Sequence, residues 1–219
     1  MNGRLALLLL LFVSPITWAE TVRDQEIAEC RSGEIATWSD GRDRRAIHTS
    51  LRIAYRHANA PGWFDEATVS DMVVKAAREW EKCGLPVTVV AASDADAGHP
   101  GAVSVEWSET GSRGNFGLAD LGRRTLSLGP QAFQLLRTRN PAHDARQTLQ
   151  MLISHEMGHF LGLMAHSRRC VDVLSYYHDG KGGQCMTRDP AGMKTHVEYR
   201  HTLPTACDIQ RCRNANGKH

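Results

Sequence analysis

Two histidines and a glutamate in the second half of the chain have the spacing of a metal-binding helix. The pattern His-Glu-x-x-His at residues 155–159 lies in a segment, 145–161, whose apolar residues recur at helical spacing and which ends at Gly162. Residues four apart on a helix are separated by about 400°, so the two imidazoles share one face. Glu156 is rotated by about 100° from His155, where it can hold a metal's water rather than the ion itself.

The alternative to a metal site is a pair of histidines on an ordinary buried helix, because this pattern also occurs by chance. The residues that follow favour the metal site. A glycine that ends a helix can adopt a positive φ and turn the chain back, and His166 comes four residues after Gly162. Zinc fits two neutral imidazoles, here His155 and His159, with a third ligand and an open fourth position. In such a site zinc lowers the pKa of its bound water to around 7 and polarises a carbonyl.

Residues 155–163, His-Glu-Met-Gly-His-Phe-Leu-Gly-Leu, followed by His166, resemble the long zinc-binding consensus of metzincins, especially matrixins. Matrixins have two residues between the glycine and the third histidine. This chain has three, and Ala165 occupies the expected position. Because alanine cannot bind zinc, His166 is the candidate third ligand. The resemblance thus implies three zinc ligands and a general base: His155, His159, His166 and Glu156.

The resemblance extends beyond the histidines. The methionine of the matrixin Met-turn falls eight residues after the third histidine, and the residue at that distance here is Leu174. Leucine has a similar volume and can form the same apolar floor under the site. Tyr176 matches the position of a tyrosine that approaches the zinc or the oxyanion in astacins and serralysins; the alternative is a core or surface tyrosine. The first helix of matrixin catalytic domains is similar to residues 76–81, and their edge-strand region is similar to residues 116–128. In all, the resemblance covers residues 51–177.

Other residues remain as alternative metal ligands. His178 and Asp172 lie on either side of the turn around Leu174 and are alternative candidates for the third metal ligand. Glu198 is the only glutamate after Glu156, and a distant glutamate is the third ligand in thermolysin-like enzymes. In a separate segment, Asp94 and Asp96 would contribute to a calcium site, or belong to an ordinary polar loop.

The elements around the motif predict an α+β fold. Alternating polar and apolar residues predict strands at 49–55, 86–90 and 102–107, and residues 114–128 predict an edge strand and its neighbour. A helix capped by Asp65 or Ser70 precedes Gly84. We therefore expect a metzincin-like, mixed twisted sheet with two main helices. The active-site helix would be followed by an irregular, disulfide-containing C-terminal subdomain.

The first nineteen residues have the features of a secretory signal peptide. Arg4 precedes a short apolar run, and small residues lie before a cut at Ala19. The run is about half the ~20 residues that a membrane span needs. We expect a signal peptide (1–19), an N-terminal extension (20–48), a metzincin-like catalytic domain (49–179) and a cysteine-containing tail (180–219). This organisation predicts a secreted or periplasmic protein with no stable membrane insertion after the signal is removed.

All six cysteines follow the predicted cut. In an oxidising compartment an even number predicts three disulfides. Local pairing would join Cys207 to Cys212 and Cys170 to Cys185, leaving Cys30 with Cys83, although spacing alone leaves the pairing open. The alternative interpretation is that cysteines bind zinc, but the sequence contains no Cys-x-x-Cys pair to support it. The surroundings of Cys30 do not match a cysteine-switch prodomain, so a latent form is not expected.

Composition limits the classes of partner. The 219 residues are 42% hydrophobic and 23% charged, with a net charge of +2, which is ordinary for a globular domain. So small a charge gives no reason to expect nucleic acid or an anionic membrane as the main partner. The expected partner is a peptide or protein substrate, and we expect a monomer.

These observations predict a zinc-dependent endopeptidase of metzincin type. A zinc-bound water would attack the scissile carbonyl, with Glu156 as general base and Tyr176 as a transition-state donor. Two alternatives stay open. The chain could be a non-catalytic zinc-binding or interaction domain on the same scaffold, or a zinc hydrolase of a non-peptide amide.

Overall fold

The computed structural model describes residues 20–91 and 100–218. The predicted signal peptide and the calcium candidates Asp94 and Asp96 lie outside the described residues. A 3₁₀ turn, Glu81–Cys83, follows the second helix. In chain order the helices and strands are α1 (Val22–Ala28), β1 (Leu51–Arg56), α2 (Glu66–Trp80), β2 (Val87–Val90), β3 (Ala102–Trp107), α3 (Glu109–Ser112), β4 (Gly117–Asp120), β5 (Thr125–Leu128), α4 (Pro130–Arg139), α5 (Ala145–Phe160), α6 (Pro190–Met193) and α7 (Ala206–Asn216).

The strands form one five-stranded mixed sheet in the order β2-β1-β3-β5-β4. Neighbouring strands run parallel except for β4, which is antiparallel to β5 and forms one edge. Side chains alternate across the sheet, so that Val103, Val105 and Trp107 of β3 are buried while their neighbours are half-buried. Each strand predicted from the sequence is present, and the sheet with its helices is the α+β architecture that was expected.

The helix that bears the histidines, α5, packs against α2 and against the edge strand β4. Two polar side chains cross the α2–α5 interface. Trp80 Nε1 donates to the carbonyl of Ser154 at 2.9 Å, and Gln150 Nε2 donates to the carbonyl of Met72 at 3.0 Å. Gly158 allows the close approach, because a Cβ there would lie 2.9 Å from the Trp80 ring. These contacts fix the position of α5, the helix that carries the motif.

The prediction of two main helices and an irregular C-terminal subdomain is wrong in part. The structure adds α4, with 10 residues, and α7, with 11 residues, and α7 lies within the tail that was expected to be irregular. About half of the residues in each helix are polar, and Phe133 is the single buried residue of α4. Neither sequence therefore has a strong apolar periodicity. For α7 a signal was present: Thr205 and Asp208 form a capping box at its N-terminus.

Three disulfides join Cys30 to Cys207, Cys83 to Cys212 and Cys170 to Cys185. The predicted Cys170–Cys185 pair is confirmed, whereas the pairs Cys207–Cys212 and Cys30–Cys83 are wrong. Cys207 and Cys212 both lie on α7, and five residues rotate a helix by about 500°, which places the two side chains on different faces. Each therefore pairs with a distant cysteine and ties the C-terminal helix to the rest of the chain.

We expect the Cys83–Cys212 disulfide to contribute more stability than Cys170–Cys185. The first closes a separation of 129 residues and the second a separation of 15. In the chain-entropy account, loops of these sizes are worth about 4.9 and about 3 kcal/mol respectively. The test is denaturant unfolding of the double variants Cys83→Ser/Cys212→Ser and Cys170→Ser/Cys185→Ser. The reverse order of the two losses would contradict the entropic account for this chain.

Among the described residues, no helix combines the length and the apolar character that crossing a membrane requires. Three disulfides fit a protein that folds in an oxidising, extracytoplasmic compartment.

Candidate metal centre

The two histidines of the motif lie in the last turns of α5. Asp144 begins this helix by accepting hydrogen bonds from the amides of Arg146 and Gln147. From Leu149 onwards the helix is almost entirely enclosed, and both His155 and Glu156 are buried. A helix buried on all sides fixes the direction of each side chain, so the motif residues have little freedom to leave the site.

The chain reverses directly after α5 at Gly162, as the sequence predicts. Gly162 has a φ of +94°, its amide donates to the carbonyl of His159, and the Leu163 amide donates to the carbonyl of Gly158. This pair of hydrogen bonds is a Schellman motif, which favours glycine at the left-handed position. A Cβ at Gly162 would lie 2.0 Å from the carbonyl oxygen of Arg44. The turn sends the following residues back over the helix.

We expect Gly162→Ala to lower the free energy of unfolding by about 2 kcal/mol or more. A left-handed backbone costs a non-glycine residue roughly 1–2 kcal/mol, and the clash with Arg44 adds to this cost. Gly180→Ala is the matched control, because Gly180 also has a positive φ but no atom within 4 Å of an added Cβ. Equal losses in denaturant unfolding for the two variants would contradict the role given to the Arg44 contact.

The turn after Gly162 places His166, and not Ala165, beside the other two histidines. Ala165, in the position that aligns with the usual third ligand, is 1% exposed. Its amide donates to Asp43 Oδ1 at 3.1 Å, and its carbonyl accepts a hydrogen bond from Arg211. The backbone of Ala165 is therefore held away from the site, and the next residue, His166, projects toward the helix.

The structure brings His155, His159 and His166 together. Their ring centroids are 5.1 to 5.3 Å apart, and one potential ligand atom from each lies within 4.8 Å of the other two. Every Nδ1 faces an acceptor. The carbonyl of Val173 is 2.8 Å from His155 Nδ1, and the carbonyl of Leu163 is 2.7 Å from His159 Nδ1.

These acceptors determine the tautomer of each ring. An oxygen that can only accept requires the proton on Nδ1, which leaves a lone pair on Nε2. For the third ring the acceptor is Asp40, whose Oδ2 lies 2.6 Å from His166 Nδ1. His166 Nε2 is buried and has no hydrogen-bond partner among the described residues. The unpaired Nε2 of His166 thus lies beside the Nε2 lone pairs of the other two histidines. Zinc binds neutral imidazole nitrogens, so this set of atoms fits a zinc ion.

The electrostatics of the cluster favour neutral rings. Burial lowers the pKa of His155 well below its usual value and lowers the pKa of His159 to about 4. Burial also lowers the pKa of His166, although its hydrogen bond to Asp40 opposes this. Near pH 7 all three imidazoles are therefore uncharged, and uncharged imidazole is the form that ligates a metal.

Glu156 lies between the cluster and the edge strand. Its Oε2 accepts a hydrogen bond from the Ala119 amide of β4 at 2.8 Å, while its Oε1 accepts none from the described residues. Burial raises the pKa of this carboxyl to about 7, against the lowering effect of the Ala119 amide. The carboxylate is thus oriented by the strand and has one oxygen free.

A cleft of about 470 Å³ exposes the three histidines and Glu156. The edge strand contributes residues 117–119 to its lining, and Tyr176 and Arg200 lie in its wall. Tyr176 is 43% exposed, and its ring stacks on that of His166 with centroids 3.9 Å apart. The arrangement places a carboxylate, three imidazoles and a phenol around one opening.

The alternative ligands lie elsewhere. Asp172 is buried and accepts hydrogen bonds from Arg169, Ser167 and Thr205. His178 is exposed. Glu198 pairs with Arg200 at 2.7 Å. Within the described part of the chain, none of the three belongs to the histidine cluster.

Leu174 is buried beside the helix, where a Cβ added at Gly158 would lie 3.0 Å from its Cδ1. The turn that carries Leu174 also supplies the Val173 carbonyl that faces His155. Leucine thus fills the space under the motif. The preceding residue, Val173, fixes a ring through its backbone.

Sequence reasoning missed Asp40 and Arg200. Asp40 lies 126 residues before His166 in a polar segment, and no local pattern links the two residues. Arg200 donates two hydrogen bonds to Glu198 from Nε and Nη2, at 2.9 and 2.7 Å. The Glu-x-Arg spacing is too common to have marked it as a residue of the cleft.

Comparison with known proteins gives no family for this chain. No family model matches it, and no curated protein matches it. Among solved structures, one titled "GM1 bound form of the ECX AB5 holotoxin" is 14% identical, with 77% of this chain and 80% of that chain covered and a TM-score of 0.44. A TM-score of this size carries no argument about fold or function.

Proposed function

We propose that the protein is a zinc-dependent endopeptidase of the metzincin type, with a matrixin-like catalytic domain, that is secreted or acts in the periplasm. The observation that carries the proposal is the convergence of three neutral imidazoles, each with its Nδ1 already bonded, on a cleft that also contains Glu156. His155, His159 and His166 would hold the ion. Zinc bound there would supply a Lewis acid that polarises a carbonyl and makes water more acidic.

The edge strand gives the cleft a way to bind an extended peptide. β4 pairs with β5 on one side and lines the cleft with residues 117–119 on the other. A peptide aligned with a sheet edge is held by main-chain hydrogen bonds and needs no particular side chain. This mode of binding favours a polypeptide substrate over a small amide.

Glu156 would act as the general base. Its side chain lines the cleft, and its Oε2 is fixed by the Ala119 amide, which leaves Oε1 free. The carboxylate would take a proton from the attacking water and return it to the leaving amine. A non-catalytic zinc site has no use for such a group, because structural sites close all four positions with ligands.

Tyr176 would donate a hydrogen bond to the developing oxyanion. Its stacking on His166 keeps the phenol at the edge of the cleft. Burial raises the pKa of its hydroxyl, so the group remains a donor at neutral pH.

The test is digestion of a complex peptide mixture, read by mass spectrometry, with protein starting at Glu20. Zinc-loaded, chelator-treated and zinc-restored samples are compared. Cleavage sites that disappear on chelation and return with zinc would support the proposal and reveal the side-chain preference. A zinc-loaded protein that leaves every peptide intact would contradict it and favour the binding domain or a non-peptide amide.

A further inference from the structure

The N-terminal segment, residues 37–44, lies against the turn that carries the third histidine. The Trp38 amide donates to the carbonyl of His166 at 3.0 Å, and Thr37 forms a β-bridge with Ser167. At the other end of the turn, the Arg44 amide donates to the carbonyl of Gly162 at 3.0 Å. The turn is therefore held along its length by a part of the chain that precedes the whole sheet.

Within this segment, Asp40 makes two hydrogen bonds to one residue. Its Oδ1 accepts from the His166 amide at 2.9 Å, and its Oδ2 accepts from His166 Nδ1 at 2.6 Å. The first bond fixes the backbone of His166 and the second fixes its ring. Since a carboxylate can accept but not donate, the proton must remain on Nδ1.

His166 depends on this contact more than the other two histidines depend on theirs. His155 and His159 project from α5, and backbone carbonyls accept from their Nδ1 atoms. His166 lies on a turn, where no helix restricts its ring. A carboxylate partner both orients such a ring and raises its basicity as a ligand.

We infer that Asp40 is a positioning residue of the metal centre, which keeps His166 in the Nδ1–H tautomer and directs its Nε2 toward the ion. This inference rests on the proposed binding of zinc by the three histidines. It makes the N-terminal segment part of the metal centre, although the sequence pattern places it outside the catalytic domain. Asp40 itself contacts neither the ion nor the substrate.

The test compares Asp40→Asn with Asp71→Asn. Asparagine keeps the shape of Asp40 but has one acceptor oxygen, so its amide group faces either the His166 backbone or the ring. Asp71 is an exposed residue of α2 that pairs with Lys75, and its variant removes a charge from outside the cleft lining. We expect zinc affinity, measured by competition with a chromogenic chelator, to fall about 10–100-fold for Asp40→Asn and to stay unchanged for Asp71→Asn.

A second readout separates positioning from simple stabilisation. Nitrogen-15 NMR of the metal-free protein, at a pH where the imidazoles are neutral, reports which ring nitrogen of His166 carries the proton. We expect Nδ1–H in the wild type and a population of Nε2–H in Asp40→Asn. An Nε2–H tautomer in the wild type would overturn the inference without any variant. An unchanged tautomer together with wild-type zinc affinity in Asp40→Asn would also overturn it.

The proposed function and the inference fail in different ways. A wild-type protein that binds zinc but cleaves no peptide would contradict the endopeptidase, while the affinity comparison for Asp40 would stand. A wild-type protein that cleaves peptides with zinc, together with an Asp40→Asn variant of equal affinity, would contradict the inference alone. A wild-type chain without zinc affinity would overturn both.

Discussion

Glu156→Gln should abolish most peptide cleavage while zinc remains bound. Glutamine has nearly the same shape as glutamate, and its Oε1 can still accept the hydrogen bond from the Ala119 amide. It cannot take a proton from water. General-base catalysis is typically worth 10²–10⁴-fold in rate, so we expect a loss of about that size or larger.

The measurement is the rate of cleavage of a peptide found in the digest, at matched zinc content. Glu81→Gln is the control, because Glu81 is an exposed residue in the turn after α2. It removes the same charge and should leave the rate unchanged. A Glu156→Gln variant with wild-type activity would contradict the mechanism, and one that lost its zinc would show that Glu156 supports the metal site instead.

The three candidate functions predict different results for Glu156→Gln. A binding domain has no rate to lose, and its zinc affinity would respond to the histidines but not to Glu156. A hydrolase of a non-peptide amide would lose activity in Glu156→Gln as the endopeptidase does, but only on a small substrate. Cleavage rates on a peptide and on a small amide, together with zinc content, therefore separate the three functions.

The elements that position the site could be predicted because their signals are local. Helical periodicity identifies α5, and the glycine at 162 marks its end by a requirement for positive φ that acts within one turn. The strands are likewise indicated by alternation over a few residues. Each of these patterns lies within the element it predicts.

What the sequence did not reveal depends on contacts between distant residues. Asp40 reaches His166 over 126 positions, and Cys30 reaches Cys207 over 177. The disulfide error also has a local cause. Once residues 206–216 are known to be helical, Cys207 and Cys212 face different directions, so missing α7 made a wrong pairing look reasonable.

At the candidate third ligand the sequence departs from the matrixin consensus, because Ala165 occupies the aligned position and His166 follows it. The backbone of the turn determines where each of these two side chains lies. Asp43 and Arg211 bind both polar groups of Ala165, so that residue is fixed with its side chain buried. The N-terminal segment and α7 provide these contacts, so His166 rather than Ala165 reaches the histidine cluster.

His166→Ala should remove specific zinc binding. It leaves two imidazoles on α5, one fewer than the three protein ligands of a catalytic zinc site. The expected fall in affinity exceeds the 10–100-fold that we expect for Asp40→Asn, since removing a ligand costs more than misdirecting one. In the metal-free protein we expect His166→Ala to lower the free energy of unfolding by only about 1–2 kcal/mol, because one hydrogen bond and one ring contact are lost.

Thermal unfolding with and without zinc measures this difference directly. Zinc at 100 times its dissociation constant should stabilise the wild type by about 2.7 kcal/mol, and it should leave His166→Ala unchanged. His178→Ala is the control, because His178 is exposed and lies outside the cluster. If instead His178→Ala lost the zinc effect and His166→Ala kept it, the third ligand would be His178, and the turn after Gly162 would have to rearrange when the metal binds.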